Sequence, residues 1–219
     1  MFLSRLTLSR SADMAALGQI LNPAHEGRRM DAHHRLIWAA FAGDPDARRD
    51  FLWREMGQGA FLVLSPRPPQ PTPVFDPPEV TPFEPDLRAG DQLAFVLRAN
   101  ATRTVTGADG RKRHLDVVME ALHPLPKGQH RAEARMDLAQ AAGTAWLEGQ
   151  GARAGFVPVA PLVSAYRVLE PRAKGHRYGV IDLEGRLEVT DPAALLARLA
   201  QGFGRAKAFG CGLMLLRRG

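Results

Sequence analysis

The stretch YGVIDLEGRLEVTDPAALLARLAQGFGRAKAFGCGLMLL, residues 178–216, sets the fold class. Its first part, Tyr178 to Thr190, alternates apolar and polar side chains with the period of a strand. Asp191-Pro192 then opens a helix, because an aspartate carboxylate caps the free N–H groups of a first turn and a proline there has no N–H to leave unpaired. Ala194, Leu195, Leu196 and Leu199 give that helix one apolar face. A glycine-rich loop from Gly202 to Gly212 ends it, and Leu213 to Leu216 forms a closing strand. Upstream, Asp91–Val105 and Phe156–Leu169 read as two more strands, and Ala132–Glu148 reads as a helix carrying Met136, Ala139, Ala142, Ala145 and Trp146. The order is β-α-β-β-α-β, the split βαβ or ferredoxin-like arrangement of an α+β fold.

Between Pro66 and Pro85, nine of the 17 prolines fall within twenty residues. Proline neither extends a helix nor donates to an interior strand, so this stretch is a linker or an extended crossover. It divides the chain into residues 1–85 and 90–219. The first part fits a looser version of the same order, with a strand at Phe2–Leu8, a helix around Met30–Phe41, and strands at Phe51–Arg54 and Ala60–Leu64. Its second helix falls where the prolines are and has no visible counterpart. The expectation is two tandem ferredoxin-like (RRM-like) domains joined by a proline-rich linker.

With 219 residues, 45% of them hydrophobic and 24% charged, the chain buries a real core and is not disordered as a whole. One cysteine, Cys211, makes no internal disulfide, and no Cys/His cluster has the spacing of a zinc site. No metal or cofactor is expected. The apolar run at the N-terminus is too short for a signal sequence, and nowhere do about 18 apolar residues occur together. The expected place is a reducing cytoplasm, away from membranes. A formal charge of +6 admits a nucleic-acid partner if the basic residues share a face.

Three features carry possible chemistry. In Asp31-Ala-His-His-Arg-Leu-Ile-Trp38, the residues Met30, His34, Ile37, Trp38 and Phe41 share a helical face, whereas His33 points about 100° away from His34. A histidine on such a face is either a packed core residue or a general acid/base, since an ordinary pKa near 6.5 lets it accept and donate protons at neutral pH. The second feature is the loop with Gly202, Gly204, Gly210 and Gly212. Its glycines allow close backbone approach to a phosphate, and Arg205 and Lys207 add charge there. The loop follows a helix and opens a strand, unlike a Rossmann or P-loop fingerprint, and a plain helix cap with a turn explains the glycines equally well. The third feature is the set Arg98, Arg103, Arg111, Lys112, Arg113, Arg167, Arg172, Lys174 and Arg177 at strand ends and turns, placed either for phosphate contacts or as a solvated face. No Ser/His/Asp ordering, H-E-x-x-H or carboxylate cluster supports a hydrolase of those classes.

Taken together, Phe2-Leu-Ser-Arg-Leu6, His34 four residues before Trp38, Pro45-Asp-Ala-Arg-Arg-Asp-Phe-Leu52, Leu97-Arg-Ala-Asn100, Ala145-Trp-Leu147, Glu184-Gly-Arg-Leu-Glu-Val189 with Asp191, and above all Gly202-Phe-Gly-Arg-Ala-Lys-Ala-Phe-Gly-Cys-Gly-Leu213 resemble the CasE endoribonucleases. These are the CRISPR RNA-processing subunits of the type I-E Cascade complex. The resemblance spans almost the whole chain and implies two tandem ferredoxin-like domains. It further implies metal-independent cleavage of repeat RNA at the base of its stem-loop, leaving a 2′,3′-cyclic phosphate and a 5′-hydroxyl, with the other Cascade subunits as partners. By position the catalytic histidine of that family corresponds to His34. Family members commonly carry a tyrosine three residues earlier, where this chain has Asp31, so Asp31 and the adjacent His33 are candidates for the second proton-transfer group. The basic turn from Arg172 to Arg177 resembles the family's groove-binding hairpin. Arg35, Arg111, Lys112 and Arg113 are candidates for the adjoining backbone. A non-catalytic RNA-binding subunit of the same fold is the alternative, in which His34 merely packs.

Overall fold

A computed structural model describes residues 1–11, 14, 18–42, 49–170 and 177–218. The fold is α+β, with antiparallel sheets. The first sheet is built from β1 (Phe2–Thr7), β2 (Leu52–Gly57), β3 (Ala60–Ser65) and β4 (Glu79–Pro82), in the order β2-β3-β1-β4. Helix α1 (Glu26–Ala39) packs on it through Met30 and Ile37 against Leu6, Trp53, Phe61 and Val63. The second sheet contains β5 (Gln92–Ala99), β8 (Phe156–Leu169), β9 (Tyr178–Val189) and β10 (Met214–Arg218), in the order β10-β5-β9-β8. In both sheets the first strand lies between the last and the third.

Between β5 and β8 the chain adds a hairpin, β6 (Thr102–Thr106) and β7 (Lys112–Asp116), then the short helix α2 (Val117–Leu122) and the long helix α3 (Arg135–Ala154). Strand β5 alternates cleanly: Leu93, Phe95, Leu97 and Ala99 turn into a core with α3 and with α4 (Pro192–Gln201). As its sequence demands, α4 starts with Asp191, whose carboxylate accepts from Ala194 N–H at 3.0 Å. The strand expected over Asp91–Val105 breaks at Asn100, whose side chain donates to the Gly179 carbonyl at 2.8 Å while its own carbonyl accepts from Arg205 N–H. That turn sends the chain out into the hairpin.

The proline-rich stretch is part of the first sheet rather than only a connection. It contributes β4, paired with β1, and Phe75, which is buried in the first core and bridges to Leu8. Gln70 N–H donates to the Ala40 carbonyl and Arg67 to the Phe41 carbonyl, so the crossover is stitched to the end of α1 without a helix of its own. A separate apolar cluster joins the two sheets, with Leu52 and Leu64 against Leu213, flanked by Leu3, Leu62 and Leu215. No helix among the described residues is long and apolar enough to cross a membrane.

Candidate active site

Helix α1 begins at Glu26, one turn earlier than its apolar pattern suggests, capped by the His25 ring on Arg28 N–H. Its buried residues are Gly27, Met30, His33 and Ile37, which corrects the face assigned from spacing. His33, not His34, turns into the core. At 100° per residue the midline between Met30 and Ile37 runs between the two histidines, each about 50° from it, and the sheet closes over the His33 side.

His33 is 1% exposed and sits edge-on to Phe61 and Trp53, with ring centroids 4.8 and 6.4 Å away. Neither ring nitrogen has a hydrogen-bond partner, and the nearest carboxylate, Glu55, is 3.9 Å off. Burial, with a smaller push from Arg29, drives its pKa down to about 4. A neutral ring walled by aromatics is out of reach of a substrate, so His33 is poorly placed to stand in for a catalytic group.

His34 is half-buried and lines a hollow of about 560 Å³ with Arg35, Trp38, Arg49 and Ala208. Its ring lies 6.1 Å from Trp38 and 6.2 Å from Phe51. The Nε2 atom has no hydrogen-bond partner. Burial lowers its pKa first, then Arg49; Asp31 pulls the other way and Arg35 adds to the lowering. The imidazole is therefore neutral near pH 7, with Nε2 on its buried side. Asp31 sits one turn before Arg35 and accepts from its guanidinium at 2.7 Å, so its charge is compensated on the helix surface. Arg49 donates to the Phe51 carbonyl and holds its guanidinium 6.0 Å above the Phe51 ring. No spacing rule singles out Arg49, because it reaches the histidine only when β2 packs beside α1. The run of cations just ahead of the Phe51-Leu-Trp strand is the one available signal.

The glycine-rich loop comes back to this place. Its turn Lys207–Phe209 rests against α1 and β2, and Phe209 stacks on Tyr178 at 5.3 Å. Gly204 has φ 68°, and a Cβ there would lie 2.5 Å from the Asn100 carbonyl oxygen. At Gly202 a Cβ would lie 2.8 Å from Leu52 of the first sheet. Packing therefore accounts for these two glycines, while Gly210 fits against Trp53 and Gly212 against Phe203. Arg205 reaches His114 Nε2 at 3.0 Å, and Lys207 donates to the Gln201 carbonyl at 2.6 Å.

The other candidate cations separate into two groups. Arg98 grips Asp182 through two hydrogen bonds of 2.7 and 3.0 Å, and Arg167 bonds the same carboxylate at 3.2 Å and Glu26 at 3.3 Å. Both expected phosphate contacts are thus engaged in internal ion pairs. Arg111, Lys112 and Arg113 are exposed at the tip of the β6–β7 hairpin, Arg113 near Asp109. Arg103 pairs with Glu120, and Arg177 with Glu170 at 3.2 Å. Arg172 and Lys174 lie outside the described residues. Among the described residues no three His, Cys, Asp or Glu side chains gather as a metal site would require.

The sequence matches the profile of the family described as CRISPR associated protein over residues 1–218. It is 30% identical over 189 residues to the CRISPR system Cascade subunit CasE of Escherichia coli, covering 84% of this chain and 89% of that protein. It is also 30% identical over 219 residues to the CRISPR-associated endoribonuclease Cse3 of Thermus thermophilus, covering 89% of this chain and 95% of its relative. The structure of Thermus thermophilus Cse3 bound to an RNA representing a pre-cleavage complex superposes with a TM-score of 0.68 at 26% identity, over 99% of this chain and 98% of that one. A family match along virtually the whole length, with the relatives' fold reproduced, shows that this chain belongs to the CRISPR-associated protein family that includes CasE and Cse3.

Proposed function

We propose that the protein is an endoribonuclease that cleaves CRISPR repeat RNA at the base of its stem-loop, without metal or cofactor, to give mature CRISPR RNA with 2′,3′-cyclic phosphate and 5′-hydroxyl ends. The observation that carries this reading is His34, a neutral imidazole lining a hollow whose other charged side chains are Arg35 and Arg49. RNA brings its own nucleophile, the 2′-hydroxyl beside the scissile phosphate. The protein has to align it, move protons and stabilise the charge that builds on phosphorus.

In this reading O2′ attacks phosphorus as its proton leaves, and the bond to the 5′-oxygen breaks as that oxygen gains a proton. His34 serves one of these transfers. Arg49, fixed over Phe51, is the cation placed to stabilise the phosphorane oxygens. Asp31 lies three residues before His34 and tunes it electrostatically, which supports a positioning role. Lys207, Arg205 and the hairpin residues Arg111, Lys112 and Arg113 bind RNA phosphates, which supply most of the affinity. The strand order shared by both sheets supports two ferredoxin-like domains, residues 1–85 and 90–219. The kinship with a Cascade subunit supports retention of the product within that assembly in the cytoplasm.

The test is incubation of the pure protein with the repeat RNA of its own genome in EDTA. A single cut leaving a cyclic phosphate is expected. RNA that is bound but left whole would instead mark a non-catalytic RNA-binding subunit.

A further inference from the structure

Beyond the Lys207–Phe209 turn from His34 lies a second groove of about 670 Å³, walled by α3 on one side and the β6–β7 hairpin on the other. Arg153 near the end of α3, Arg198 from α4 and Lys207 from the glycine-rich loop project into it. Among the described residues no Asp or Glu forms an ion pair with any of these three, and the one carboxylate lining the groove, Glu120, is taken by Arg103. Two of the groove's cations are fixed in place. Arg198 donates to Gln150 Oε1 at 2.6 Å and lies 5.3 Å over the Phe203 ring, while Arg205 is held by His114.

Like charges held together without counterions repel, and the effect is visible along the row. Beyond the effect of burial, Arg153 lowers the basicity of Arg198, Arg198 and Arg49 lower that of Lys207, and Arg49 lowers that of His34. Lys207 lines the groove, and its neighbour Ala208 lines the His34 hollow. Consecutive residues of one turn thus line the two cavities, with Arg49 on one side and Lys207, Arg198 and Arg153 on the other.

We infer that this row seats a single RNA strand, running from the scissile phosphate at His34 over Lys207 and Arg198 to Arg153, and that the strand is the part of the repeat outside the stem. The inference rests on the endoribonuclease reading. A walled trough suits one strand: it meets a line of phosphates with a line of cations, between a hairpin wall carrying Thr104 and His114 and a helix wall carrying Trp146. An A-form duplex, with phosphates on both rims of a wide, shallow minor groove, fits an open face or a protruding turn instead.

The test compares two RNAs, the full repeat and a stem-loop trimmed of its single-stranded flanks, against wild type and Arg153→Glu. Arg153 is exposed, so reversing its charge leaves the core untouched. The variant is expected to bind the full repeat about tenfold more weakly, consistent with loss of a charge-assisted contact, and the trimmed stem-loop as well as wild type does. The slope of log K against log salt for the full repeat falls by about 0.7 per lost phosphate contact. Equal weakening for both RNAs would place the stem in the groove, and no weakening for either would leave it unoccupied; each result overturns the inference. Wild-type cleavage of the full repeat, run alongside, separates the two ideas. No cutting sinks the endoribonuclease reading, whereas cutting without any flank effect sinks the groove alone.

Discussion

Two adjacent histidines on one helix end in opposite situations, and the difference decides which can do chemistry. Both flank the Met30–Ile37 stripe at the same angle, so periodicity alone cannot choose between them; Trp53 and Phe61 of the neighbouring strands do. His33 binds a proton far less readily folded than unfolded. With a folded pKa of about 4 against an ordinary 6.5, the unfolded chain takes up more protons throughout that interval, so stability is full above 6.5 and falls as pH drops toward 4. About 2 kcal/mol should be lost between pH 7.5 and pH 5. Urea denaturation at the two pH values measures it, and His33→Phe should flatten the dependence. His34 should respond to its neighbours with opposite signs. Asp31→Asn removes a group that raises its pKa and should move the His34 limb of the kcat/KM profile to lower pH, while Arg49→Gln should move that limb up. Limbs that stay fixed in both variants would detach His34 from the profile.

At the scale of elements, what can be read from the chain is what short-range chemistry determines. Asp191-Pro192 starts α4 and a glycine ends it because capping is settled within a few residues. β4 and Phe75 escape such reading, because their places depend on pairing with β1 and Leu8, more than sixty residues away, and prolines carry no period. The hairpin tip around Arg111 is marked by charge but not by any apolar alternation. Structural and binding roles in the glycine-rich loop divide by residue. Gly204→Ala forces a Cβ onto the Asn100 carbonyl at positive φ, and should cost at least about 2 kcal/mol in chemical denaturation. Arg205→Ala should stay within about 0.5 kcal/mol of neutral in the same assay. It should nevertheless weaken binding to the full repeat RNA and flatten the salt slope by about 0.7. An unchanged slope would return the loop to a purely structural role.

At the scale of the molecule, the hollow beside His34 exists only because two sheets meet. His34 and Arg49 come from the side of the first, Ala208 from the side of the second, and the Leu52–Leu64–Leu213 cluster joins the two sheets. Composition and charge admit a nucleic-acid partner without locating this seam. Near the seam lies Asp182, which compensates Arg98 and Arg167 at once. Asp182→Ala leaves the partly buried Arg98 without its carboxylate and Arg167 with Glu26 alone, and should destabilise the protein by about 3 kcal/mol, read from the shift in its urea midpoint. All of this geometry converges on one imidazole. Single-turnover cleavage of repeat RNA in EDTA by His34→Ala, with the dissociation constant measured on the same preparation, tests that convergence. Loss of a general acid/base group should slow cleavage by about 10²–10⁴-fold while RNA affinity stays nearly unchanged. Cleavage at the wild-type rate would show that His34 only packs.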